Sequence, residues 1–178
     1  EGSKSVVTPV VRPSWEAIAD DKPLENHKTT HFRGLAARGI YLAADRPDCA
    51  FAAKEVCGRM SAPTEVGLQG LKRLGRYLVG RPRLVWHYRW QEVSHFDVYS
   101  DTDWAGCPTS RRSTSGGCIM VGSHLIKAWS STQPGIALSS GEAEVVGVTR
   151  AAAIALGYRS LLADYGIKLA ARVWTDSS

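Results

Sequence analysis

A mixed α/β domain behind a mainly helical segment is the architecture this sequence predicts. Three observations predict it. Apolar residues recur at helical spacing between residues 31 and 78, they alternate as in strands from His95 onward, and a long helical stretch after Ser139 leads into a last short apolar run. For residues 95–178 the resulting order is βββαβ, a mixed sheet whose final strand lies parallel to the first after a helical crossover. Residues 1–94 make the helical part and residues 95–178 the sheet-bearing part.

Taken in order, residues 1–30 are rich in Ser, Thr, Pro and charge and carry little periodicity, which predicts extended or loop structure. A helix is expected over 31–44. Pro47 stands where a further helix can begin, with Phe51, Ala52, Val56 and Met60 at helical spacing behind it. Pro63 with Thr64-Glu65 opens the next one. On it Leu68, Leu71, Leu74 and Leu78 fall on one side, and Lys72, Arg73 and Arg76 cluster on the other. That basic stripe is either a solvated helix face or a nucleic-acid-binding surface that meets phosphates.

From His95 the period changes. Phe96, Val98 and Ser100 alternate with Asp97, Tyr99 and Asp101, a strand with one apolar and one mixed face. Residues 116–122 read as a second strand and 125–129 as a third, joined by a tight turn at Gly122-Ser123-His124, so the three form an antiparallel meander. A helix is expected over 139–165, stopped by Gly166, and residues 171–175 make the last strand.

An apolar fraction of 44% with 22% charged residues is ordinary globular composition and argues against wholesale disorder. No apolar run approaches a membrane span and the N-terminus lacks a signal-peptide layout, so no membrane partner is expected. Cys49, Cys57, Cys107 and Cys118 lack C-x-x-C spacing and read as reduced intracellular thiols rather than zinc ligands. The net charge of +5 is uneven. Residues 1–94 hold 15 Lys/Arg against 10 Asp/Glu, whereas residues 95–178 hold 7 against 7. A basic platform suited to a polyanion thus precedes a neutral, carboxylate-bearing part.

Acids stand at the ends of the predicted elements in Tyr99-Ser100-Asp101-Thr102-Asp103-Trp104, Ser139-Ser140-Gly141-Glu142-Ala143-Glu144 and Val173-Trp174-Thr175-Asp176. Hard divalent cations such as Mg²⁺ need oxygen ligands, and a pair of them clamps the attacking and leaving oxygens of an in-line displacement. Glu142 and Glu144 are two residues apart and cannot share a helix face. Ser139 and Glu142 form an S-x-x-E capping box, which gives Glu142 a structural role. Glu144 lies over Gly147, Val148, Ala151, Ala155 and Leu162, the small apolar face that must meet the sheet. An acid there is costly unless it is paired or binds metal, so Glu144 is the functional candidate, against an acid at the rim that escapes to water. Asp101 and Asp103 share a strand face if the strand runs straight, so the period does not choose between them. Asp103 can instead begin the turn that Gly106 and Pro108 continue. Asp176, at a strand terminus, is either a ligand or the N-cap of a helix. His87, His95 and His124 have no metal-ligand spacing, and the serines lack a G-x-S-x-G elbow, which argues against acyl transfer.

Several of these segments resemble a known family. Tyr99-Ser100-Asp101-Thr102-Asp103-Trp104-Ala105-Gly106 with Arg111-Arg112-Ser113-Thr114-Ser115-Gly116 closely resembles the RNase H start of copia-type LTR retrotransposon Pol polyproteins. So does Trp129-Ser130-Ser131-Thr132-Gln133-Pro134, leading into Ala137-Leu138-Ser139-Ser140-Gly141-Glu142-Ala143-Glu144. Tyr41-Leu42, Asp45-Arg46-Pro47-Asp48, Met60-Ser61-Ala62-Pro63-Thr64-Glu65 and the leucine helix resemble the segment that follows the polymerase palm in the same polyproteins. Thr8-Pro9 and Val11-Arg12-Pro13 fit as well, so the resemblance covers essentially the whole chain.

The resemblance implies an RNase H-like mixed sheet, a truncated βββαβ, over residues 95–178, behind a reverse-transcriptase thumb or connection segment over 1–94. It implies that Asp101, Glu144 and Asp176 are the catalytic and metal-binding carboxylates for two Mg²⁺, with Mn²⁺ able to substitute. The implied reaction is hydrolysis of the RNA strand of an RNA–DNA hybrid during reverse transcription. The implied partners are that hybrid, recognised by groove shape, 2′-hydroxyls and phosphates, and the remainder of the Pol polyprotein. An intracellular location is implied too, in a cytoplasmic particle or the nucleus. The chain also departs from the family. Gly141 and Val145 stand where Thr and Tyr are usual, no polymerase Asp-Asp motif is present, and the family's fourth acid is expected downstream of Asp176. The competing reading is a non-catalytic nucleic-acid-binding remnant of a decayed element. A transposase or resolvase of the same fold superfamily would also use three acids, but the blocks before His95 argue against it.

Overall fold

The computed structural model describes residues 4–176 and divides between Val85 and Trp86 into two units, the first helical and the second built on a sheet. The sequence suggests a boundary at 94/95. It falls earlier because the intervening residues are tied to the sheet: the Tyr88 hydroxyl donates to the Leu125 carbonyl (3.0 Å) and Gln91 Nε2 to the Val121 carbonyl (2.6 Å).

In the first unit the helices are α1 (Trp15–Ala19), α2 (Asn26–Leu42), α3 (Ala50–Cys57) and α4 (Glu65–Gly80), with a 3₁₀ turn at Pro47–Cys49 before α3. Residues 1–30 are therefore not all loop. Ser14 caps α1 by accepting the Ala17 N–H, and α2 begins ahead of residue 31. Phe32 and Ala36 anchor α2 in the core, and extending an anchored helix backward through polar residues costs little beyond the nucleation already met. The Thr64 hydroxyl caps α4 by accepting the Gly67 N–H (3.3 Å). Leu71 and Leu74 of α4 are buried, Leu71 with Phe32 and Val56, and Leu74 with Cys49, Ala52 and Tyr77. Beside them Arg46 forks onto Asp48 at 2.9 and 2.8 Å, and the Tyr77 hydroxyl donates to the same carboxylate at 2.7 Å.

In the second unit β1 (His95–Asp103), β2 (Thr114–Val121) and β3 (His124–Thr132) form the expected meander. Helix α5 (Ser140–Asp164) then crosses over to β4 (Ala170–Trp174), which pairs parallel with β1 and gives the sheet order β3-β2-β1-β4. Strand β2 starts earlier and β3 ends later than expected, because Thr114 and Ser115 pair with Thr132 and Ser131. Gly166, at φ 76°, lets the chain leave α5 in the left-handed region. The core joins Phe96, Val98 and Ile119 of the sheet to Ala151 and Ala155 of α5. Contrary to the expectation that no apolar run approaches a membrane span, α5 is by length and composition apolar enough to cross one; 17% of its apolar window is buried here, with Ala143, Gly147, Ala151 and Ala155 as the helix's buried line.

Two contacts bring α5 close to the sheet. A Cβ on Gly147 would run into Thr102 Oγ1 and lie 3.3 Å from Ser100 Oγ, so only glycine permits this approach. The buried Gln133 amide donates to Ser115 Oγ and to the Ala143 carbonyl, both at 2.9 Å, which pins the first turn of α5 to β2.

A third contact holds β4. Arg172 donates through Nε and Nη2 to the two carboxylate oxygens of Asp97, at 2.7 and 3.0 Å, and Trp174 Nε1 donates to Asp97 Oδ1 at 2.7 Å. The guanidinium also lies 5.4 Å from the Trp174 ring centre. The Arg172 guanidinium beside Asp97 holds its carboxyl below the usual range despite burial, and the Trp174 N–H acts in the same direction. The period and motifs of the sequence do not single out Asp97. Asp97 is an acid on the mixed face of β1, and its partners, an Arg and a Trp two residues apart, stand on β4, 75 and 77 residues away.

Opposite outcomes are expected for two Gly→Ala substitutions on α5. At Gly157 a Cβ meets nothing within 4 Å, so Gly157→Ala raises stability by about 0.5–1 kcal/mol. Gly147→Ala lowers it by roughly 1–3 kcal/mol through overpacking, both read by urea unfolding. Asp97 also makes stability depend on pH. Because its folded-state pKa is depressed, its stabilisation is fully present above the unfolded-state value of about 3.9 and is lost as pH falls through the lowered folded value. Asp97→Asn should lower Tm at neutral pH and flatten the acid limb of the Tm–pH curve; an unaltered acid limb would show that the clamp adds no stability.

Candidate metal centre

The parallel register explains how two distant acids meet. The last paired residues of β1 and β4 are Tyr99 and Trp174, and two residues beyond each stand Asp101 and Asp176. Helix α5 delivers Glu144 to the same point. One oxygen from each of Asp101, Glu144 and Asp176 lies within 4.8 Å of the others.

The neighbouring acids do other things. The Asp103 carboxylate is folded over the turn after β1, so close to Gly106 that a Cβ there would collide with it. Glu142 closes the start of α5: its N–H donates to Ser139 Oγ (3.1 Å), and its own carboxylate accepts the Leu138 N–H (2.7 Å). The turn chemistry of Asp103 and the capping role of Glu142 leave Asp101 and Glu144 as the members of the cluster.

Its electrostatics are unfavourable by themselves. Burial pushes the Glu144 carboxyl above its ordinary range, and the charges of Asp176 and then Asp101 add to that push, while a hydrogen bond with the Thr175 side chain opposes it. Glu144 Oε2 is buried and has no hydrogen-bond partner among the described residues. Asp101 is exposed, with Oδ1 accepting the Thr102 N–H at 2.8 Å. Three converging carboxylates, one with a donor-free buried oxygen and none accompanied by His or Cys within the group, suit a hard divalent cation such as Mg²⁺ or Mn²⁺.

The basic stripe of α4 is already engaged inside the first unit. Arg73 donates through Nε to the Thr8 carbonyl (3.1 Å) and through Nη2 to Thr8 Oγ1 (2.8 Å), and Arg76 Nε donates to the Lys4 carbonyl (2.6 Å). Lys72 is exposed. Neither a purely solvated face nor a surface wholly open to phosphate describes it, because an extended N-terminal segment offers carbonyls that need donors.

No family model and no solved structure matches this chain. Curated proteins do. Over 167 residues, 94% of the chain, it is 37% identical to the Retrovirus-related Pol polyprotein from transposon RE1 of Arabidopsis thaliana. It is 35% identical, over the same share, to the corresponding polyprotein from transposon RE2. An uncharacterized mitochondrial protein of the same plant is 35% identical over 113 residues, which are 64% of this chain and 47% of that protein. The chain spans 11% of the length of each of the two polyproteins. Similar to them along nearly its whole length, the chain belongs to the copia-type, retrovirus-related Pol polyproteins of retrotransposons, as a segment of one.

Proposed function

We propose that the second unit is an RNase H-like nuclease that hydrolyses the RNA strand of an RNA–DNA hybrid, with Asp101, Glu144 and Asp176 as its metal-holding carboxylates. The first unit is then the reverse-transcriptase thumb or connection segment ahead of it. The observation that carries this reading is the convergence of the three acids from β1, α5 and the end of β4. The βββαβ order and the Pol relatives support it.

When bound, Mg²⁺ would polarise the scissile phosphate and lower the pKa of an attacking water. The residues of the chain orient and bind. Asp101 and Asp176, both exposed, are open to a cation that also touches a nucleic-acid phosphate, while Glu144 anchors the site from its half-buried position. The Thr102 N–H and the Thr175 side chain each fix the orientation of one ligand carboxylate. Outside the cluster, recognition of the hybrid falls to groove shape, 2′-hydroxyls and phosphate contacts.

Two measurements test this. Mg²⁺ should raise Tm saturably, and Asp101→Asn should abolish that rise while raising Tm in EDTA, since it removes one of three mutually repelling charges. Cleavage of a labelled RNA strand within a hybrid is to be assayed for this chain and for a longer Pol chain containing it. EDTA should stop the cleavage, and Asp101→Asn should slow it by about a hundredfold or more. Cleavage that survives both would overturn the assignment. Cation binding without cleavage in the longer chain would favour a non-catalytic remnant instead.

A further inference from the structure

The segment just ahead of the sheet carries exposed indoles and an arginine that neither the fold nor the acidic cluster uses. Residues 81–90 read Arg-Pro-Arg-Leu-Val-Trp-His-Tyr-Arg-Trp, with three arginines, three aromatic rings and no acid. Within the second unit, residues 86–90 belong to no helix or strand, and all five are exposed. Trp90 is 93% exposed, Tyr88 59% and Trp86 42%. An indole buries a large apolar area when it has a partner, so a tryptophan left this open is an unused contact surface.

The backbone here is held in place. Tyr88 is tied to β3 through its hydroxyl and through an edge-on contact with the His124 ring, centroids 5.0 Å apart. Gln91 reaches the β2–β3 turn: Nε2 donates to the Val121 carbonyl, and Oε1 accepts the Ser123 N–H (3.1 Å) and hydroxyl (3.2 Å). Two exposed indoles therefore flank a pinned tyrosine, with Arg89 between Tyr88 and Trp90. Pinning beforehand reduces the ordering cost of binding.

We infer that Trp86, Arg89 and Trp90 form a binding surface for single-stranded nucleic acid, on which unpaired bases stack while Arg89 meets the backbone phosphate. Three rings with an arginine between two of them, and no carboxylate within residues 86–90, complement a flexible polyanion that carries flat apolar faces. A duplex keeps its base faces stacked internally and offers them to no indole. This surface is independent of the nuclease assignment, because it uses none of the three acids.

The test is fluorescence anisotropy of labelled oligo(dT), oligo(U) and a blunt RNA–DNA hybrid with the full 178-residue chain in EDTA. The double variant Trp86→Ala/Trp90→Ala should weaken binding of both single strands about tenfold or more, with the hybrid changed less than about twofold. Trp86→Phe/Trp90→Phe should keep single-strand affinity within about threefold, because a phenyl ring still stacks. Arg89→Ala should reduce the steepness of the salt dependence by about 0.7, the release expected for one phosphate contact on a single strand. Unchanged single-strand affinity in the alanine variant overturns the inference. So does equal loss for strand and hybrid, or a phenylalanine variant as weak as the alanine one. Absence of single-strand binding by the parent chain, with a sedimentation change in the alanine variant, would overturn it in favour of a protein-docking surface.

Discussion

Strand β4 is five residues long and, among the described residues, pairs with β1 alone, so its register has to be held by more than a short backbone ladder. Asp97 supplies that hold through the Arg172 fork and the Trp174 indole. The pairing runs Asp97 with Arg172 and Tyr99 with Trp174, and the same step reaches Asp101 and Asp176. The clamp and the two aspartates of the cluster thus follow one another along the same pair of strands. A slip of one residue would turn Asp176 to the opposite face and take the third carboxylate out of the group. A nearly buried carboxylate is acceptable at Asp97 because its partners are charged, bidentate and in register.

The acidic cluster is built against its own repulsion. Glu144 bears the cost, since it is the half-buried member and its proton affinity is raised by burial and by both aspartates. Four features keep it in place. The Ser139–Glu142 cap sets where α5 begins, Gln133 ties the Ala143 carbonyl to β2, Gly147 allows the helix down onto Ser100 and Thr102, and Ala151 and Ala155 bury the rest of the face. A side chain held this firmly needs no rearrangement to take part in the proposed metal site, which is what pre-organisation means.

Arginine serves three different purposes in this chain. In the first unit Arg46 forms a nearly buried ion pair with Asp48, closed off by Tyr77, while Arg73 and Arg76 satisfy carbonyls of an extended segment. In the second unit Arg172 sets a strand register. The planar, multiply donating guanidinium suits each of these better than a point charge would. Counting cations along a helix therefore says little about which of them are open to a ligand.

Local signals are enough for much of this protein. The change of period at His95, the caps at Thr64 and Ser139 and the stop at Gly166 are each written within a few residues, and the βββαβ order can be read from them. Burial cost, helical period and the Ser139–Glu142 capping box together separate Glu144 from Glu142, because all three can be read locally. The tertiary structure decides the remainder. Asp101 and Asp103 have the same parity, and only the turn at Gly106 shows which of them is occupied elsewhere; the family resemblance points to Asp101, whereas period cannot. The Asp97–Arg172 clamp joins residues 75 apart and the Arg73–Thr8 contact residues 65 apart, so neither leaves a mark on any short window of sequence. Register, and the pairing of donors with distant acceptors, are properties of how elements meet. Hydrophobic period and capping chemistry specify the elements and leave that meeting open.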